Sequence, residues 1–280
     1  MRSNGPEDEA LTEDTREVAV APIPLPACMN ELIAGFEWTR DTVGKSGGTV
    51  YQLHRSGSSR LYLKYGQGAL ASDITDEMVR LRWLAGRAPA PEVRHFVVSG
   101  GKAWLLMAAL PGKTGRQLLT EKGTDQGVVV DAMARFLRVI HSLRVEDCPF
   151  NNSHRHRLSL ARERLNAGLV SVQGFDEKRA GSTAEQVWSE MISLVPNTSE
   201  SVITHGDLSL DNVLIEDNHV VGIIDVARMG SADRYQDLAT LWNCLGDFDA
   251  ALQERLLVSY GIASPDMRRL RFHVLLDEFF

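Results

Sequence analysis

Apolar residues follow two rhythms along this chain, and the change comes near residue 108. Upstream, short runs alternate. In Leu61-Tyr-Leu-Lys-Tyr65, positions 61, 63 and 65 face one side and Tyr62 and Lys64 the other, the period of a strand. Ala103 to Met107 predicts another strand, and Asp41 to Val50 a glycine-rich turn between strand-like flanks. One helix interrupts them. Asp73 is expected to cap it, Ile74, Met78, Leu81 and Leu84 recur at helical spacing, and Pro89 and Pro91 end it. Downstream of Ala108-Ala-Leu-Pro-Gly112 the rhythm is helical. Asp131 is expected to open a helix carrying Phe136, Leu137 and Ile140, a second spans Glu185 to Leu194, and a third spans Asp233 to Gly246 with Leu238, Leu241, Trp242 and Leu245 on one face. Strands first and helices second predict an α+β protein of two unequal lobes with a cleft between them.

The first 27 residues stand apart. Glu7, Asp8, Glu9, Glu13, Asp14 and Glu17 crowd an acidic stretch, and Pro22, Pro24 and Pro26 stiffen an extended connector, so a loose or disordered tail is expected up to Pro26. The rest has ample material for a core, with 44% hydrophobic residues in 280. The formal charge of −7 argues against non-specific nucleic-acid binding. No run reaches the roughly 18 apolar residues of a membrane span, and the acidic start does not read as a secretory signal. Three scattered cysteines, Cys28, Cys148 and Cys244, fit a reducing, cytoplasmic setting better than a zinc site or a disulfide framework.

The densest chemistry lies between Val202 and Asp225. Val213 to Glu216 and His219 to Ile224 read as two strands joined by the two-residue turn Asp217-Asn218. A hairpin brings its open ends together, which places Asn212 close to Asp225. An amide oxygen and a carboxylate at one point suit Mg²⁺. Asp207 lies on the loop entering the first strand, where a carboxylate could accept a proton from an attacking hydroxyl. Read singly, the other candidates are weaker. Lys64 is then a solvated strand lysine, Glu77 a surface helix acid, His205 a structural loop histidine, and the glycine-rich turn a plain hairpin turn without Rossmann or Walker spacing. Asp237, read singly, is an exposed helix acid.

The order His205-Gly206-Asp207, Asn212, Asp225-Val-Ala resembles protein-kinase-like phosphotransferases, and its departures from the protein-kinase motifs match the aminoglycoside phosphotransferases. Gly222 to Ala239, Val79-Arg-Leu-Arg-Trp-Leu84, Pro111-Gly-Lys-Thr114, Cys148-Pro-Phe-Asn151 and Leu276-Asp-Glu-Phe-Phe280 are similar to the 3′-phosphotransferases acting on kanamycin and neomycin. The resemblance covers roughly 30–280. It implies a protein-kinase-like fold: a β-rich nucleotide-binding N-lobe over 28–107, a connector over 108–113, and a mainly helical C-lobe over 114–280. It implies Asp207 as catalytic base, Asn212 and Asp225 as metal ligands, and Asp237 as a brace for the Asp207 loop. It implies Lys64, paired with Glu77, on the α- and β-phosphates, Tyr62 stacked on adenine, Ser46 near the β-phosphate and the Ala109 backbone on the adenine edge. Arg228, Asp277, Glu278 and the terminal carboxylate of Phe280 match drug contacts. Asp176 and Glu177 fall in an insert whose acids face the drug's amines, and Gln173 replaces a further acid. The implied partners are Mg²⁺, ATP or GTP, and an aminoglycoside, with no nucleic acid or membrane and a monomer or weak dimer as the assembly. The alternatives are a macrolide, choline or homoserine kinase of the same fold, and a nucleotide-binding pseudokinase.

Overall fold

A computed structural model describes residues 17–41, 49–176, 179–197 and 200–280. The alternating N-terminal runs form one antiparallel sheet of β1 (Glu17–Ala19), β2 (Glu37–Asp41), β3 (Thr49–His54), β4 (Leu61–Gln67), β5 (Val93–Ser99) and β6 (Lys102–Ala108), in the order β1-β2-β3-β4-β6-β5. Its buried face gathers Trp38, Tyr51, Leu53, Leu63, Trp104 and Leu106 against Met29 and Ile33. Leu61 and Tyr65 join this cluster, and Lys64 stays off it, as the alternation requires.

Two expectations change here. The connector up to Pro26 is not loose. β1 pairs with β2, Val20 N–H donates to the Trp38 carbonyl at 3.0 Å, and Val20, Ile23 and Leu25 pack on the sheet's core. The prolines hold this segment extended so that the apolar residues between them reach the core, and α1 (Ala27–Asn30) then delivers the fully buried Met29. Residues 1–16 lie outside the described residues. The helix expected at Asp73 is α2 (Ala69–Leu84) and begins at Ala69. Gly68, at φ 59°, turns the chain directly out of β4, so no side-chain cap is needed at Asp73.

The chain divides into two units, residues up to Arg82 with Pro91–Ala109, and Trp83–Ala90 with Leu110–Phe280. Trp83 belongs to the second through its indole N–H, which donates to the Asp147 carbonyl at 2.9 Å, and through an edge contact with Phe150.

The second unit carries β7 (Lys113–Thr114), α3 (Gly115–Thr120), α4 (Gln126–His141), α5 (His154–Asn166), α6 (Ala184–Ser193), β8 (Ser201–Thr204), β9 (Val213–Glu216), β10 (His219–Ile223), β11 (Gly230–Asp233), α7 (Tyr235–Leu245), α8 (Ala250–Tyr260) and α9 (Met267–Asp277). Helix α4 starts at Gln126, capped by Asp125, and not at Asp131. Asp131 lies inside the helix, where it accepts from Arg255 and Ser259 of α8 and joins the two helices. Ala161, Val187, Met191, Phe272, Leu275, Leu276 and Phe279 form a core shared by α5, α6 and α9. The β9–β10 hairpin extends to β7 on its other edge. Gly112, at φ 92°, permits that approach, because a Cβ there would strike the Ile215 carbonyl. No helix among the described residues is long and apolar enough to cross a membrane.

Candidate active site

Strand β8 ends at Thr204 and releases the His205-Gly206-Asp207 loop. Asp237 of α7, fully buried, accepts from the His205 N–H at 2.7 Å and the Gly206 N–H at 2.8 Å. Burial acts to raise its carboxyl, but the His141 ring at 3.2 Å and these backbone donors hold it below the usual range. Asp237 is therefore the brace of the loop and not an exposed helix acid. His205 is structural as well. Its Nδ1 accepts from the Asp207 N–H at 3.2 Å, which leaves Nε2–H to donate to the Ile224 carbonyl at 2.8 Å. Gly206 has φ 87°, and a Cβ there would collide with the Arg228 carbonyl, so only glycine fits.

The hairpin forms in the expected register. Val213 faces Ile223, Glu216 faces His219, and a bulge separates Val220 from Gly222. Asp217 and Asn218 take φ 48° and 62°, the left-handed pair that a two-residue turn demands. At the open end the Ile224 N–H donates to the Asn212 carbonyl at 3.0 Å, which puts Asn212 beside the strand's exit to Asp225. Asp225 itself sits at φ 59°, a strained position for a residue with a side chain. The Asn212 amide nitrogen donates to the Asp207 carbonyl at 2.8 Å, which leaves the side-chain oxygen with its lone pairs as the atom suited to a cation. Among the described residues no group of three His, Cys, Asp or Glu could hold a metal. An amide oxygen and one carboxylate nevertheless fit Mg²⁺, which takes few protein oxygens and fills its shell with phosphate and water.

Asp207 is about one-third exposed, and Arg228 Nη1 stands 3.5 Å from its Oδ2 and 3.9 Å from Asp277 Oδ1. Burial raises the Asp207 carboxyl above its ordinary range, the Asp277 charge adds to this, and Arg228 opposes both. Asp277 also accepts from Arg157 at 2.9 Å. Glu278 accepts from the Asp176 N–H at 3.2 Å and from Arg179 at 3.1 Å, while burial raises its carboxyl. Asp176 accepts from Asn243 at 3.1 Å. The Phe280 ring lies beneath Arg157 and Arg228, with their guanidinium carbons 4.5 and 5.3 Å from its centroid. The two side-chain acids just before Phe279 are thus each paired with an arginine, Asp277 with Arg157 and Glu278 with Arg179. Gln173 is exposed in the short turn Val172–Gly174.

In the first unit, Lys64 Nζ lies 2.7 Å from both Glu77 oxygens, and Glu77 is buried rather than on the surface. Tyr62 is half-buried, with its phenol oxygen 3.4 Å from Gln52 Nε2. The Ala109 N–H donates to the Arg60 carbonyl at 3.1 Å, which leaves its carbonyl as the backbone group outside that bond. Ser46 and Glu177 lie outside the described residues. Sequence reasoning missed Arg157, Arg179, Asn243 and His141. Each meets its partner across about 70 residues or more, and no local spacing announces such a contact.

Residues 42–273 match the phosphotransferase enzyme family. An aminoglycoside 3′-phosphotransferase of Escherichia coli is 51% identical over 247 residues, 88% of this chain and 91% of that one. A Salmonella typhimurium enzyme of the same name is 48% identical over 266 residues, 95% of this chain and 98% of that one. The solved structure of a type VIII aminoglycoside 3′-phosphotransferase superposes with a TM-score of 0.80 at 32% identity, covering 90% of this chain and 97% of that one. An aminoglycoside phosphotransferase of Streptomyces rimosus, solved with ADP and streptomycin, shares the fold at a TM-score of 0.74 and 24% identity, over 85% of this chain and 94% of that one. Likeness in sequence over nearly the whole length and likeness in backbone agree on one kinase-like group, and the chain belongs to the phosphotransferase enzyme family, among the aminoglycoside 3′-phosphotransferases.

Proposed function

We propose that this protein transfers the γ-phosphoryl group of a nucleoside triphosphate to the 3′-hydroxyl of a kanamycin- or neomycin-type aminoglycoside in the cytoplasm, and so confers resistance. The observation that carries the reading is the braced loop, which presents the half-buried Asp207 beside Arg228 and Asp277, with Asn212 held at the exit to Asp225. Asp207 orients the sugar hydroxyl and accepts its proton, and a carboxyl pushed above its ordinary range is a better base when ionised. Asn212 and Asp225 would hold Mg²⁺, which supplies positive charge to the phosphates when bound. Lys64, held by Glu77, contributes the same sign of charge to the α- and β-phosphates, and Tyr62 offers its ring to the base. Asp176, Glu177, Asp277 and Glu278 favour a polycationic substrate over a macrolide, choline or homoserine.

The test is a coupled assay of nucleotide consumption with kanamycin, streptomycin, erythromycin and choline, using ATP and GTP in turn, with the product mapped by NMR. Phosphate on the 3′-oxygen of kanamycin is expected. Turnover of choline or erythromycin without kanamycin would overturn the substrate class, and nucleotide binding without turnover of any acceptor would make the chain a pseudokinase.

A further inference from the structure

The row Asp207–Arg228–Asp277 continues into α5. Arg157 is 3% exposed, donates Nη2 to Asp277 Oδ1 at 2.9 Å, and lies 4.5 Å from the Phe280 ring centroid. Arg164, two helical turns along the same face, donates Nε to the Phe279 carbonyl at 2.6 Å, and its guanidinium carbon lies 6.0 Å from the same ring's centroid. Helix α5 thus grips the last residue of α9 by its carboxylate and the segment after it by its backbone and its aromatic face. Burial is costly for Arg157, and it weakens its hold on its proton. Anchoring the segment alone would not need this, since Phe279 already seats it in the apolar core against Trp188.

We propose that Arg157 is a positioning residue of the phosphoryl transfer: it fixes the Asp277 carboxylate and the Phe280 ring where the aminoglycoside is received. This rests on Asp207 as the base and Asp277 as a drug contact. Without Arg157, Asp277 keeps only the longer contact with Arg228 at 3.9 Å, and the Phe280 ring loses the guanidinium carbon that lies 4.5 Å from its centroid. A planar guanidinium can bond a carboxylate and stack on a ring at once, whereas a lysine keeps only the charge.

The experiment compares Arg157→Gln and Arg157→Lys in the full chain with both substrates. Arg157→Gln is expected to raise the aminoglycoside KM about tenfold at an unchanged nucleotide KM. Arg157→Lys is expected to leave the drug KM raised, because the charge alone does not place the carboxylate and the ring together. The double variant Arg157→Gln/Asp277→Asn removes the stranded carboxylate, so it also guards against loss of folding, and its drug KM is expected to rise by less than the product of the Arg157→Gln and Asp277→Asn single effects. A double variant that multiplies the two effects in full overturns positioning through Asp277. Parent-like drug KM in both Arg157 single variants, with only a lowered urea midpoint, reduces Arg157 to a structural residue. Asp207→Asn is measured alongside. If it keeps its rate, the base reading itself fails, whereas an inactive Asp207→Asn beside parent-like Arg157 variants defeats this proposal alone.

Discussion

Asp207 shows at the scale of one residue how the fold sets chemistry. Burial and the nearby Asp277 push its carboxyl upward, and Arg228 limits the rise. Asp207→Asn keeps the shape and removes the proton acceptor, so kcat is expected to fall by about a hundredfold or more, with the nucleotide KM little changed. A few-fold loss would assign the base elsewhere. The sign of the stability effect is opposite. An acid raised in the folded state binds more protons there than in the unfolded chain, so its ionisation costs stability as pH rises past the ordinary carboxylate value. Asp207→Asn lifts that cost, and its Tm at pH 7 is expected to equal or exceed the parent's. A lower Tm would mean that the carboxylate stabilises the loop. Asp207, Asn212 and Asp225 were legible in the sequence because their order alone suits one reaction. Arg157 was not, because its meaning depends on a partner 120 residues away.

At the scale of elements, the β9–β10 hairpin carries the most consequence for its size. Its turn residues occupy left-handed conformations, and Asn tolerates these better than other residues with side chains. Asn218→Ala is expected to lower stability by about 1 kcal/mol, and Asn218→Gly to leave it unchanged or improved. Equal urea midpoints for Ala and Gly at 218 would show that the turn does not define the register. The hairpin was readable because alternation and a two-residue turn are local signals. The starts of α2 and α4 were not. Asp73 and Asp131 look like caps in sequence, but Gly68 starts one helix earlier and Asp125 caps the other, leaving Asp131 to bind Arg255. A capping acid and an acid for a tertiary ion pair are the same residue type, and only neighbours distant in sequence separate them.

For the whole molecule, the buried carboxylates predict an acid profile with two phases. Asp207 and Glu278 are raised, so protonating them as pH falls from 7 adds stability. Asp131, Asp233 and Asp237 are lowered. Arg255 chiefly holds Asp131, while burial opposes the lowering in Asp233 and Asp237 and is outweighed by His273 and Arg269 in one and His141 in the other. Their stabilisation is present above the unfolded-state value and is lost as pH falls through their folded values. Burial holds the His154 and His273 rings below the usual imidazole range, so charging them opposes that gain between pH 7 and 5. Urea midpoints are therefore expected to change little from pH 7 toward 5 and to drop below about pH 4. A steady fall beginning at neutral pH would contradict this balance. The sequence by itself determined the α+β order, the alternating sheet, the hairpin and the approach of Asn212 to the exit at Asp225, because these rest on period, turn chemistry and motif order along a short stretch of chain. The tertiary structure alone decided that the proline-rich segment packs rather than dangles, that Asp237 braces the loop, that Ala109 keeps only its carbonyl, and that the acids near the end of the chain arrive already paired. Each of these depends on which groups share a low-dielectric interior, where an unpaired charge or backbone group costs most, and a linear pattern carries no record of that proximity.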